Sequence, residues 1–100
     1  MRRAFQLPDF SVIVWLKKND RFSALRSEVL AAAGAEPYET TEYQGMVDFH
    51  WAAPSIADAQ KLTENLKTIS QQPEVVLLQI MSRVDHVDSI SIKDQRATKH

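Results

Sequence analysis

Apolar residues return at every second position in some parts of this chain and at every third or fourth in others. The order of those parts leaves few folds open. "FSVIVWLK" (10–17) alternates and is rich in β-branched and aromatic residues, which predicts a strand. In "DRFSALRSEVLAAAG", Phe22, Leu25, Val29 and Ala32 fall at helical spacing. Asn19 or Asp20 supplies an N-cap and Gly34 a left-handed C-cap, for a helix of about four turns. Pro37 opens "YETTEYQ", whose polarity suits a sheet edge, and Gln44-Gly45 turns the chain into a third strand, "MVDFHWAA". Pro54-Ser55 stops that strand and caps a helix over 55–71, with Ile56, Ala59, Leu62, Leu66 and Ile69 on one stripe. Pro73 ends it, and "EVVLLQIMSR" reads as a fourth strand covered on at least one face throughout.

Strand, helix, strand, strand, helix, strand is the order of the ferredoxin-like α+β fold, βαββαβ. Right-handed crossovers would place both helices on one face of a four-stranded antiparallel sheet. Past Arg83 the pattern weakens, and Ser89 to Lys93 alternate enough for a short fifth strand. The expected organisation is one domain over 1–83 and a partly ordered C-terminal extension over 84–100, its last seven residues or so frayed. A chain of 100 residues suffices for one core without covalent staples.

Composition narrows the chemistry. With no cysteine, disulfides, thiolate metal sites and a cysteine nucleophile are excluded, which fits a cytoplasmic protein. No apolar run of signal-peptide length follows Met1-Arg2-Arg3 before Pro8 and Asp9, and the longest apolar run, Val75 to Leu78, is far short of a membrane span. Net charge is −1, which gives no bulk attraction to nucleic acid. The charges are unevenly spread: residues 1–26 carry six basic side chains and two acidic ones, whereas 27–89 carry ten acidic and three basic. Such asymmetry can steer a partner or pair two subunits, although a solvated surface is the simpler account for most of these groups.

Alternation sorts each strand into a helix-covered and an open face. Phe10, Val12, Val14 and Leu16 face the helices, leaving Ser11, Ile13, Trp15 and Lys17 open. Val47, Phe49 and Trp51 face inward, leaving Met46, Asp48, His50 and Ala52. In the fourth strand Val76, Leu78 and Ile80 are assigned inward, and Val75, Leu77, Gln79 and Met81 outward. The open face therefore gathers Ile13, Trp15, Met46, Leu77 and Met81 around Asp48, His50 and Gln79. An apolar patch of that kind marks an interface or a binding groove, covered by a second copy of the chain or by the tail from Val84 onward.

"QGMVDFHWAAPSIADAQKL", about a fifth of the chain, resembles the third strand and second helix of an RNA-recognition motif. That resemblance implies stacking aromatics one and three residues after the glycine and another early in the first strand. Those places hold Met46, Asp48 and Ile13, and Gln44 stands where a basic residue is preferred. Platform and charge are both missing, so no nucleic-acid partner is expected, and Phe49 and Trp51 are read as core.

Asp48 and His50 stand two apart on one strand and point the same way, so the carboxylate can orient the imidazole as a general base requires. The ferredoxin-like dimers known as α/β barrels, which include small monooxygenases and isomerases, enclose a pocket; here Trp15, Met46 and Met81 would line it. "DHVD" (85–88) matches no recognised metal spacing and reads as a solvated turn. Gly34 and Gly45 form no phosphate loop, and no serine is framed as a nucleophile. "KKNDRF" places Lys17, Lys18 and Arg21 at the start of the first helix. The chain is similar, in element order and length only, to ACT-type regulatory domains, in which small ligands bind near that loop, and the glycine usual there is missing.

These readings predict a binding or regulatory module that forms a homodimer through its open sheet face and takes a small-molecule ligand, with no cofactor, no metal and no membrane partner. The alternative is a small dimeric enzyme with His50 as base and Asp48 as its orienter.

Overall fold

The computed structural model describes residues 7–96; the Met1–Arg3 start and, of the last seven residues expected to fray, 97–100 lie outside the described residues, whereas Asp94 ends a strand. Within them run β1 (Phe10–Lys17), α1 (Phe22–Ala33), β2 (Glu39–Tyr43), β3 (Met46–Ala53), α2 (Ile56–Leu66), a short 3-10 turn (Ile69–Gln71), β4 (Val75–Ser82) and β5 (Ile90–Asp94). All pairings are antiparallel, and the five-stranded sheet has the order β2-β3-β1-β4-β5. The four-stranded layout is thus extended by the short strand allowed for near 89–93, which forms at 90–94 on the outer edge of β4. The apolar character of β4 explains the addition. Val75, Val76, Leu77, Leu78 and Ile80 are all buried, and such a strand is ill-suited to a bare edge. Polar β2, exposed along its whole length, forms the opposite edge as its sequence predicts.

One cluster forms the core: Phe10, Val12, Val14 and Leu16 of β1, Val47, Phe49, Trp51 and Ala53 of β3, Leu25 and Val29 of α1, and Ala59 and Leu66 of α2, with Leu78 and Ile80 of β4. Val84 and Val87, in the turn after β4, and Ile92 of β5 pack against its margin. Alternation in β1 and β3 is thereby upheld, but β4 departs from it. Trp15 faces Leu77 while Leu16 faces Val75, so Val76 is an extra residue, a β-bulge. Past the bulge the facing reverses: Val75 joins the core cluster and Val76, though buried, does not, contrary to the expected assignment.

Local signals shape the ends. Ser55 caps α2 as expected, accepting from the Asp58 N–H at 3.1 Å. Gly34 closes α1 with φ 72°. Neither Asn19 nor Asp20 caps α1 directly: the cap position is Arg21, and Asn19 Oδ1 instead accepts the Arg21 N–H at 3.0 Å in a turn just before the helix. The second helix is also shorter than expected, giving way after Leu66 to the 3-10 turn, whose last carbonyls have outside donors. Lys93 Nζ donates to the carbonyls of Ser70 (2.8 Å) and Gln72 (3.1 Å), and burial lowers the pKa of that ammonium. Gln44 and Gly45 both have positive φ (52° and 77°), the two-residue hairpin that follows the twist of the flanking strands. The Lys18 N–H holds it to β1 through the Gly45 carbonyl at 2.8 Å.

Two substitutions test this account. Trp51, 2% exposed, donates its indole N–H to the Ala35 carbonyl at 2.9 Å. Trp51→Phe removes that bond and part of the packing and should cost about 2 kcal/mol in urea unfolding, with the m-value unchanged. Conversely, Gln44→Asn relieves a left-handed position and should add about 0.5 kcal/mol by the same measurement.

Candidate functional site

Register sets the open face in rows. Thr41, Asp48, Trp15, Leu77 and Asp94 lie side by side across the sheet, and Glu39, His50, Ile13, Gln79 and Ser91 form the row beside them. Ser11 faces Met81 on one side of these rows, while Met46 lies between Tyr43 and Lys17 on the other. All eight residues expected on this face, Ile13, Trp15, Met46, Asp48, His50, Leu77, Gln79 and Met81, therefore share it.

The face is less bare than the sequence implies. Ile13 is 3% exposed and Leu77 1%, closed over by neighbours in the same chain. Tyr38 reaches across β3 to share a 2.9 Å hydrogen bond with Ser11, its ring set edge-on to His50 at 6.0 Å. At the other side the Arg96 guanidinium sits 5.3 Å from the Trp15 ring centroid, a cation–π contact worth about 0.5–1 kcal/mol at an exposed site. Asp94 steers it there, accepting from Arg96 Nε at 3.0 Å and Nη2 at 2.8 Å. Those bonds hold the Asp94 carboxyl below the usual aspartate range and raise the pKa of Arg96.

His50 and Asp48 meet. Nε2 lies 2.9 Å from Oδ1, and both side chains are about one-fifth exposed. The separation suits a hydrogen bond but the direction does not: Oδ1, out of contact with solvent, has no aligned donor. The contact is therefore a close polar approach. A cavity of about 350 Å³ opens beside Asp48, lined by Trp15, Thr41, Glu42, Tyr43, Met46 and Asp48. It occupies the corner where β1, β3 and the β2 edge adjoin; His50, Gln79 and Met81 do not line it.

Tyr38, Thr41, Tyr43 and Arg96 were not singled out by sequence. The edge strand did hold a usable signal, since Thr41 and Tyr43 share a parity that register matches to Asp48 and Met46. Nothing local announces Arg96. The basic loop is committed to ion pairs: Lys18 meets Glu42 at 3.1 Å and Arg21 meets Glu74 at 3.1 Å. Asp85, His86 and Asp88 are exposed, and among the described residues no group of three potential metal ligands comes together. No described helix is long and apolar enough to cross a membrane. Comparison with family models, with curated proteins and with solved structures returns no match to this chain.

The Asp94–Arg96 pair carries a pH signature. Because the folded-state pKa of Asp94 is depressed, its stabilising effect is present above the ordinary aspartate range and is lost as pH falls through the folded value. The Trp15 indole N–H resonance should move in acid with a midpoint below that of an unperturbed aspartate. In Asp94→Asn that step should vanish.

Proposed function

We propose that this chain is a small binding module of ferredoxin-like architecture that holds a ligand in the corner cavity and pairs with a second copy through the open sheet face. The single observation behind the reading is the cavity itself. It has the lower range of volume typical of ligand sites, walls of Trp15, Tyr43 and Met46, and three polar residues, Thr41, Glu42 and Asp48, in its lining. The strand order β2-β3-β1-β4, with β5 added outside, supports the architectural assignment. Pairing would cover Trp15, Met46 and Met81, which neighbours in the chain only half bury.

A second reading, general-base catalysis by His50 oriented by Asp48, is favoured by their 2.9 Å approach. His50→Ala separates the two. A residue kept for chemistry alone leaves folding and assembly intact, so loss of the dimer or of more than about 1 kcal/mol of stability would count against catalysis.

Light scattering across a concentration range tests the pairing. The full chain should have the mass of a dimer, and Met81→Glu, which puts a charge on the shared face away from the cavity, should give a folded monomer. A wild-type chain that remains monomeric at the highest concentration would remove the self-association and leave the cavity to be judged by ligand binding alone.

A further inference from the structure

We propose that the corner cavity selects a small organic ammonium ion carrying at least one N–H on an apolar body, an inference that rests on reading this cavity as the binding site. Of its six lining residues two are acids, Glu42 and Asp48, and none is basic. Lys18 already matches Glu42 at 3.1 Å. Lys17 faces Met46 across the strand pair but does not line the cavity. Asp48 is therefore the acid whose charge the cavity leaves unmatched by lysine or arginine; its buried Oδ1 lies 2.9 Å from Nε2 of His50, which is outside the lining, without an aligned hydrogen bond.

The remaining walls suit the same charge. Indole and phenol faces carry negative quadrupole density, and a thioether is readily polarised, so Trp15, Tyr43 and Met46 attract a cation while accepting apolar surface. The chain itself uses Trp15 this way, through Arg96, whose own charge Asp94 offsets with two hydrogen bonds. An anion would meet two carboxylates. A purely apolar ligand would strip water from Asp48 and return no donor, which is costly for a partly buried charged group. An ammonium N–H supplies the donor and the charge together, which a quaternary ammonium cannot do.

Three probes with a common benzyl body decide the matter at pH 7.5: 2-phenylethylammonium, 2-phenylethanol and phenylacetate, each titrated into the full chain while the Trp15 indole and Met46 methyl resonances are followed. The ammonium should bind at least tenfold more tightly than the alcohol, and phenylacetate should not bind. Asp48→Asn, with its fold verified by circular dichroism, should erase the preference and leave the alcohol unaffected. Equal binding of ammonium and alcohol would overturn the cation assignment while keeping the cavity as a binding site. If phenylacetate binds best, the sign of the proposal is wrong. Should none of the three move either resonance, both the cation assignment and the reading of the cavity as a ligand site fail.

Discussion

Everything in this molecule hangs on β1 being enclosed on four sides. Val12, Val14 and Leu16 are sealed by the helices on one face, Ser11 and Ile13 by neighbouring side chains on the other, and β3 and β4 take up its backbone on either flank. A strand so placed has no freedom of register, because a slip of one residue would carry Trp15 into the core and Val14 out of it. The fixed register of β1 in turn aligns Asp48 with Trp15 and His50 with Ile13, so the candidate site inherits its geometry from the most buried element. Its other parts come from the periphery: Tyr43 and Thr41 from an exposed edge, Arg96 from beyond the last strand.

That division explains what could be read from residue types alone. The facing of β1 and β3 was legible because apolar and polar positions alternate there, and five of the eight face residues, Ile13, Trp15, Met46, Asp48 and His50, followed. In β4 the run Val75-Val76-Leu77-Leu78 is apolar at every position, so no composition signal reveals that Val76 is the extra residue. The break after Leu66 carries no glycine or proline; Ser70 Oγ donates to the Lys67 carbonyl there at 2.6 Å, and a lysine from a distant strand reaches the carbonyls that end the 3-10 turn. The Asn19 side chain is a good cap by type, yet it stands two residues before the cap position. Contacts made by register or by long side chains across strands, such as Tyr38 with Ser11 and Arg96 with Trp15, leave no mark on local sequence.

The polar groups of the open face differ in how firmly they are held. Ser11 and Tyr38 satisfy one another, and Asp94 and Arg96 form a two-bonded pair. Asp48 has only an ill-directed imidazole beside it. Unsatisfied polar atoms are uncommon in folded proteins, and this one belongs to a residue that also lines the cavity. The contrast between settled and unsettled groups, more than the apolar patch, is what sets this corner apart from the rest of the sheet.

The fifth strand has a role beyond lengthening the sheet. It is short, it follows β4 after a single turn, and it shields the flank of the most apolar strand in the molecule. A chain cut before Ile90 would keep its core residues but offer the open side of β4 as a template for foreign strands, in a segment with high β-propensity and no charge from Val75 to Ser82. β5 thus covers a flank that would otherwise be open to such pairing, and release of Ile90–Asp94 alone would uncover it.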